Sequence, residues 1–232
     1  DLLLQSGSSC FPSATINREV FGSLNPNPCT GVAVSREDYA IAGNIILAEA
    51  SPVNIWGNAV VDLGANTLTV DVEVYYTGNQ TVNSNKIHVA ILQNNIEGPQ
   101  SGASGNPTAV LPNGNYNHQH MLRHLMTGQW GETINTISQG TMYTDQFVWN
   151  IPADINGVAV DPTDLAVAVF VSEGQEGILS GAMADFNIVF PNTDDAKFSS
   201  SLASNLTCTS ATTDLTVTFQ NYGSVPLTSL DI

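Results

Sequence analysis

A run of strict two-residue alternation in the middle of the chain constrains its fold more than any other feature. Between positions 68 and 76 every second residue is apolar, and most of the residues between them are polar or charged. The apolar positions are Leu68, Val70, Val72, Val74 and Tyr76. Because neighbouring side chains of a β-strand point to opposite faces, this period predicts an antiparallel strand with one buried face.

Further segments of similar character surround this strand. Residues 54–63 precede it across a Gly64-Ala65-Asn66 turn, and residues 86–93 repeat the alternation. The other apolar segments bounded by Pro, Gly or Asn-Gly turns are residues 146–151, 165–171 and 182–190. A succession of short strands with turn residues between them is typical of two packed sheets. The sequence therefore predicts a mainly β chain built around an antiparallel β-sandwich.

Two segments depart from the β pattern. Within residues 35–50, three apolar residues have helical spacing, Ser35 is a candidate N-cap and Pro52 would stop the helix. Residues 113–137 are rich in Asn, Gln, His and Gly, with four apolar residues between positions 121 and 126. We expect a short helix in the first segment. In the second we expect an ordered loop with at most one or two helical turns.

The charge balance excludes some classes of partner. The 232 residues include 21 Asp and Glu but only five Lys and Arg, for a formal net charge of -16. Nucleic acids and anionic membrane surfaces would repel such a chain. Only 11% of the residues are charged, so uncharged polar residues must keep the surface hydrated, which favours an exported protein. No apolar run approaches the length of a membrane helix, so we expect no membrane insertion.

Three cysteines are compatible with export. Cys10 and Cys29 are close enough in sequence to close a short loop, and a disulfide between them would stabilise the fold by roughly 3 kcal/mol. Cys208 would then need a partner outside this chain or a buried position as a free thiol. The chain starts at Asp1 without an initiator Met or a signal peptide, so we expect a processed form or a fragment.

Three histidines in the long polar segment form the sharpest candidate site. His120 and His124 would share one face of a helical turn, and His118 and His120 would share one face of a strand. Together with Glu132 they could hold a zinc ion. The alternative is that these imidazoles only hydrogen-bond the backbone of a loop. General acid–base catalysis is not expected, because no Gly-x-Ser-x-Gly or equivalent nucleophile context is present.

Paired carboxylates suggest a second kind of metal site. Two Asp pairs lie in turns that could bind calcium, although neither has the spacing of a dedicated calcium loop and solvated turn acids are commoner. These pairs are Asp161 with Asp164 and Asp194 with Asp195. A glycosidase would need an acid and a base across a cleft, and no carboxylate pair is placed in that way by the sequence pattern.

Six aromatic residues could instead provide a surface on which sugar rings stack, as in carbohydrate-binding modules. They are Trp56, Trp130, Trp149, Tyr75, Tyr116 and Tyr143. Exposed aromatic rings on one sheet face would support this hypothesis. Trp149 argues against it, because it alternates with Phe147 and Ile151 and should therefore be buried. Trp130 is expected to pin the long loop.

Several motifs resemble those of a known family. The run Phe11-Pro12-Ser13-Ala14-Thr15-Ile16-Asn17-Arg18 is similar to the cis-proline segment of thioredoxin-like domains. The resemblance continues to residue 190 and is most specific in Tyr116-x-His118-x-His120-x-x-Arg123 and Trp130-Gly131. On these motifs the chain resembles the Omp28-related outer membrane proteins of the Bacteroidota.

This resemblance implies an exported surface protein with a defined order of domains. Residues 1–50 would be the C-terminal part of a thioredoxin-like α/β domain, and residues 51–191 the β-sandwich. A linker at 192–199 would lead to the first strands of an immunoglobulin-like β-domain at 200–232, where residues 215–219 alternate again. The chain lacks the front half of a thioredoxin-like domain and any Cys-x-x-Cys pair, so dithiol exchange is not expected.

The sequence thus predicts a non-enzymatic secreted or cell-surface module for adhesion, assembly or ligand presentation. We expect it at the outer membrane of a Gram-negative bacterium or outside the cell. Its partners would be surface proteins, extracellular ligands or further domains of the same protein, with no required cofactor. Three alternatives stay open: a thiol-disulfide oxidoreductase relative without its redox motif, a zinc-dependent hydrolase using His118, His120 and His124, and a carbohydrate-binding module.

Overall fold

The computed structural model describes residues 13–22, 24, 31–191, 196–203, 215–221, 223, 225, 226 and 228. Cys10, Cys29 and Cys208 lie outside these residues, so the predicted disulfide stays a prediction. Asp194 and Asp195 also lie outside them. In the part that is described, no helix is long and apolar enough to cross a membrane.

Most of the described chain forms β-strands. In chain order they are β1 (Ser13–Thr15), β2 (Ala33–Ser35), β3 (Val53–Asp62), β4 (Thr67–Tyr76), β5 (Asn85–Gln93), β6 (Ile96–Gly98), β7 (Tyr116–His118), β8 (Met121–Leu125), β9 (Glu132–Ile134), β10 (Met142–Asn150), β11 (Asp154–Ile155), β12 (Val158–Ala159), β13 (Leu165–Glu173), β14 (Glu176–Met183), β15 (Asp185–Val189), β16 (Ala196–Ala203) and β17 (Leu215–Asn221). One α-helix, α1 (Tyr39–Leu47), follows the 3₁₀ turn Arg36–Asp38. Other 3₁₀ turns are Ala103–Gly105, Pro107–Ala109 and Pro162–Asp164.

Two sheets pack face to face and form the sandwich. The first has the strand order β10-β4-β3-β15. The second has the order β14-β13-β5-β8, and β9 also pairs with β5. Among the described pairs of these two sheets, only β15 with β3 is parallel. The prediction of a mainly β chain built as an antiparallel sandwich is confirmed.

The alternation in β4 explains the core. Its apolar residues, Leu68 to Tyr76, are at most 1% exposed and pack against the inward residues of the second sheet. The inward residues of that sheet include Ile87, Val89, Ile91, Val167, Val169 and Val171. Burial of one such side chain contributes about 1.5–3 kcal/mol, so the sandwich interface is the main source of stability. The residues between them necessarily point out of the sandwich.

The long polar segment contains the strands β7, β8 and β9, so the prediction of an ordered loop with at most one or two helical turns is wrong for these residues. Strand β8 pairs with β5, but the register shifts between them. Leu122 lies opposite Leu92 and His124 lies opposite Ile91, which leaves residue 123 without a partner on β5. This bulge adds one residue to the period of two, so the apolar spacing imitates that of a helix.

The segment 182–190 forms two strands where one was predicted. Strand β14 ends at Met183 and β15 begins at Asp185, so the chain passes from the second sheet to the first at Ala184. The alternation continues through this crossing because both strands face the same core. The residues that pack against it are Ala182, Ala184, Phe186 and Ile188.

The described residues of the N-terminal segment, 13–22, 24 and 31–50, dock on the outside of the second sheet. The segment contains the antiparallel pair β1–β2 and then α1, which confirms the predicted helix. Ser35 makes no side-chain cap there, contrary to prediction. Asn17 docks the segment, since its side-chain Nδ2 donates to the backbone carbonyl of Ile178 at 3.0 Å and its backbone carbonyl accepts from the backbone N–H of Ile178 at 3.0 Å. Assignment of this segment to a thioredoxin-like domain stays a prediction.

The last two strands form a separate hairpin. Strand β16 pairs antiparallel with β17, and the register shifts once between Phe198 and Ser200. A strand was predicted at residues 215–219, within β17. The boundaries of the linker and of an immunoglobulin-like domain stay predictions.

Candidate functional site

The three predicted histidines lie in three different environments. His118 belongs to β7, and its ring is tilted against that of Tyr116 with centroids 5.1 Å apart. His120 is exposed at a left-handed turn with φ of 53°. His124 stacks on Trp149 with ring centroids 5.3 Å apart, and partial desolvation of the ring there lowers its pKa although the side chain is exposed overall. Within the described residues no three His, Cys, Asp or Glu side chains are grouped to hold a metal, so the predicted zinc ligands are not brought together.

The Asp161 and Asp164 carboxylates serve the turn before β13. Asp161 Oδ1 accepts hydrogen bonds from the backbone N–H and the hydroxyl of Thr163, at 2.9 and 2.7 Å. Asp164 Oδ1 accepts from the Asn95 side chain at 2.9 Å. Aspartates commonly make such bonds in turns. Calcium binding by this pair therefore stays a prediction.

A polar cluster holds the shape of the long segment near β6. Glu97 Oε1 accepts hydrogen bonds from the side chains of Asn115 and Asn113, at 2.7 and 2.6 Å. These hydrogen bonds lower the pKa of Glu97. Nearby, Gln119 Nε2 donates to Asn117 Oδ1 at 2.9 Å. Since these groups already bind one another, we assign the cluster a structural role.

The six aromatic residues considered for sugar stacking do not share one surface. Trp149 and Tyr143 pack against the core, as the alternation of Trp149 with Phe147 predicts. Trp130 is half-buried. Of the six, Trp56 and Tyr75 are the exposed ones, with 45% and 42% of their surface in solvent.

Trp56 and Tyr75 lie together on the outside of the four-stranded sheet. Trp56 is opposite Glu73 in the β3–β4 register, and Tyr75 is opposite Asn54. The two aromatic residues are therefore diagonal neighbours, roughly 7–8 Å apart, which is within reach of one ligand. We define the outer face as the outward residues of this sheet in the three rows that contain Tyr75, Trp56 and Asp185: Asn54, Tyr75, Met142, Trp56, Glu73, Thr144, Asn58, Asp71, Gln146 and Asp185.

A hydrogen bond across two strands orients the Trp56 ring. The indole Nε1 donates to Asp185 Oδ2 at 2.9 Å. Asp185 lies opposite Asn58 in the parallel β15–β3 register, so this bond runs diagonally between the strands. The indole is held while much of its surface stays in solvent. A ring fixed in this way loses little freedom when a ligand stacks on it.

The rest of the outer face is polar and acidic. Its carboxylates are Asp71, Glu73 and Asp185, and none of its residues is Lys or Arg. Gln146 Nε2 donates to Asp71 Oδ1 at 2.7 Å. The field above this face is therefore negative, which disfavours anionic ligands.

The opposite sheet contains a buried histidine. His88 is fully buried, stacks on Phe170 with ring centroids 4.5 Å apart, and has Nε2 2.9 Å from Ser172 Oγ. The Ser172 hydroxyl donates to Gly174 O at 3.0 Å, so His88 Nε2 must be the donor to Ser172. The lone pair then resides on His88 Nδ1, which is buried without a hydrogen-bond partner.

Two segments seal His88 from solvent. On one side Arg18 lies 5.2 Å above the Phe170 ring. On the other, Gly131 adopts φ of 69°, and a Cβ there would lie 2.8 Å from the imidazole. Burial, with smaller contributions from the Arg18 and Lys86 charges, lowers the pKa of His88 to about 3. The imidazole is therefore neutral and structural.

Comparison with known proteins identifies the family. A model of the family described as outer membrane protein Omp28 matches residues 3–182. The chain belongs to the Omp28 family. The resemblance found in the sequence is thereby confirmed, and so is the predicted location of this Omp28-family chain, secreted or at the outer-membrane-associated surface of a Gram-negative bacterium.

Two solved structures from Porphyromonas gingivalis are similar to this Omp28-family chain. HBP35 is 15% identical, with 95% of this chain and 77% of that chain covered and a TM-score of 0.55, a likeness of fold alone. A domain of the outer membrane lipoprotein Omp28 is 14% identical, with 60% of this chain and 92% of that chain covered and a TM-score of 0.39. A search of curated proteins found no match.

Sequence reasoning considered Trp56 and Tyr75 but missed Asp185. The alternation could have separated the exposed aromatics from the buried ones. In β3 the core residues such as Val53 and Ala59 lie on one face, and Trp56 lies on the other face with Asn54 and Asn58. No local signal identified Asp185, because its role depends on a pairing between distant strands.

Proposed function

We propose that this Omp28-family chain is a non-enzymatic surface module that binds an extracellular ligand through its outer face, for adhesion or ligand presentation. The observation that carries this proposal is the exposed Trp56 ring, held by Asp185 beside the exposed Tyr75. Trp and Tyr are, together with Arg, the residues enriched at binding hot spots.

The position of the N-terminal segment supports this proposal. Asn17 and Arg18 dock on the second sheet, through Ile178 and Phe170. Among the residues that the structure describes, that sheet is therefore the covered side of the sandwich, and the outer face lies on the side left open to solvent. The Trp56–Asp185 bond also lies on the open side, so the core does not require it. A bond that orients an exposed ring without supporting the core is expected at a binding site.

The proposal is tested by binding to cell surfaces. The purified chain, labelled with a fluorophore, is titrated onto fixed epithelial cells and onto fixed bacterial cells. We expect saturable binding, weakened at least about tenfold by Trp56→Ala, which corresponds to about 1.4 kcal/mol. The matched control is Val148→Ala, since Val148 is 62% exposed on the same side of this sheet but lies outside the outer face. It lies roughly 13 Å further along the sheet than Glu73.

Equal binding by Trp56→Ala and the wild-type chain would contradict the proposal, as would the absence of saturable binding to both kinds of cell. Circular dichroism and thermal unfolding of each variant establish that the sandwich is intact. A loss that Val148→Ala shares with Trp56→Ala would also count against a site at Trp56.

A further inference from the structure

The chemistry of the outer face points to one class of ligand. We propose that it binds an uncharged polysaccharide, whose sugar rings stack on Trp56 and Tyr75 while their hydroxyls bind the neighbouring carboxylates and amides. This inference rests on the proposed function and specifies its ligand.

The pairing of aromatic and polar groups suits sugar rings. A pyranose ring has a C–H face that packs on an aromatic plane and a rim of hydroxyls that need hydrogen-bond partners. Glu73 lies between Trp56 on β3 and Thr144 on β10, and Tyr75 is the next outward residue of β4. A sugar ring on either aromatic side chain would therefore have a carboxylate within one strand spacing. Carboxylates make strong hydrogen bonds to hydroxyl donors.

The same arrangement does not suit a protein partner. Protein hot spots are desolvated apolar clusters, and burial of an unpaired carboxylate is costly. On the outer face Glu73 directly adjoins Trp56, so a protein covering the indole would also have to desolvate this carboxylate. A polysaccharide satisfies the carboxylate with its hydroxyls and leaves it partly hydrated.

Charge excludes anionic glycans. The outer face carries Asp71, Glu73 and Asp185 and no cationic residue, and the chain as a whole has a formal net charge of -16. A sulfated or uronic acid polymer would meet repulsion from both. Asp71 accepts a hydrogen bond from Gln146, and Asp185 accepts one from Trp56. These two carboxylates are therefore held in place as hydrogen-bond acceptors of the outer face.

The inference is tested by affinity gel electrophoresis of the whole chain. The gels contain hydroxyethylcellulose, barley β-glucan, xylan, galactomannan or, as the anionic comparison, heparin. We expect at least one neutral polysaccharide to retard the wild-type chain, with no retardation by heparin. Trp56→Ala and Tyr75→Ala should each weaken the retardation at least about tenfold, whereas Val148→Ala should leave it unchanged. Trp56→Phe, which keeps a ring but not the Asp185 bond, should retain part of it.

The inference is overturned if none of the neutral polysaccharides retards the chain, or if Trp56→Ala is retarded as strongly as the wild type. Retardation by heparin alone would also overturn it. These results are distinguishable from failure of the proposed function. Binding to cells that depends on Trp56 but does not respond to any neutral polysaccharide would leave the surface-binding function standing and remove only the ligand class.

Discussion

Trp56 and Asp185 are joined by a 2.9 Å hydrogen bond although they are 129 positions apart in the chain. The bond crosses the parallel pair β3–β15 on the solvent side of the sheet. It determines how the indole is presented and has little influence on the core. Loss of the bond should therefore separate effects on binding from effects on stability.

Asp185→Ala should free the Trp56 ring without unfolding the chain. We expect the free energy of unfolding to fall by less than about 1 kcal/mol, because the bond is exposed to water. The fluorescence anisotropy of Trp56 should decay faster, as obtained by difference from Trp56→Phe in each background. Asn187→Ala, on the same strand, is the control and should leave the decay unchanged. An indole equally immobile in Asp185→Ala would show that other residues orient it.

His88→Asn should remove part of the acid sensitivity of the chain. The pKa of His88 is lowered to about 3 in the folded state, below its ordinary value of 6.5. The stability that depends on the neutral imidazole is therefore complete above pH 6.5 and is lost as the pH falls toward 3, by at most about 1.4 kcal/mol per pH unit. Urea unfolding, measured at pH values from about 7 down to about 4 in steps of roughly one unit, gives this slope.

The control for this experiment is His120→Asn, because His120 is exposed. It makes the same substitution outside the buried site, and its urea unfolding is measured at the same pH values. Parallel curves for the wild type and His88→Asn would contradict a neutral buried His88. Arg18 and Lys86 also act on this imidazole, so Arg18→Ala should reduce the slope slightly.

Gly131→Ala should destabilise the chain strongly. Gly131 has φ of 69°, and a Cβ there would lie 2.6 Å from Ile87 O, so both strain and a backbone clash oppose Ala. Gly128→Ala separates these effects, because Gly128 has φ of 70° but nothing within 4 Å of the added Cβ. We expect about 1–2 kcal/mol for Gly128→Ala and at least about 2 kcal/mol more for Gly131→Ala in urea unfolding. Equal losses would refute the clash.

Arg18→Ala should loosen the N-terminal segment from the second sheet. Its guanidinium lies over Phe170, next to the paired hydrogen bonds between Asn17 and Ile178. The backbone N–H of Ile178 should then exchange with solvent at least about tenfold faster. The N–H of Ala184, which donates to Val167 O at 2.8 Å, is the internal control. Unchanged exchange at Ile178 would mean that Arg18 does not hold the segment.

The strands with regular alternation could be predicted from the sequence. In β4 one face is buried in a single core and the other faces solvent. The alternation of apolar and other residues from Leu68 to Tyr76 therefore indicates which side chains are buried. The bulge at Arg123 could not be predicted, because the extra residue breaks the two-residue period of the strand. The crossing at Ala184 could not be predicted either, because the same period continues from β14 into β15. The polarity of a residue indicates which face of a strand it lies on, but it does not indicate which strands lie next to that strand.

The same limit applies to the candidate site. The sequence contained Trp56 and Tyr75 as candidates, but their adjacency follows from the β3–β4 register, and the role of Asp185 follows from a pairing over more than a hundred residues. The three histidines show the opposite case, in which residues that are close in sequence do not meet in the fold. They are close in sequence, yet a bulge and a left-handed turn at His120 send them to different surroundings.

The parallel pairing of β15 with β3 also has a consequence for the timing of folding. Strand β3 opens the sandwich, and its edge is covered only when residues 185–189 arrive. A chain that emerges N-terminus first therefore leaves this edge unpaired while nearly all of the sandwich is produced. Such distant pairing slows folding and keeps incomplete chains open. Until residues 185–189 pair with it, this edge of β3 is also free to pair with a strand of another chain.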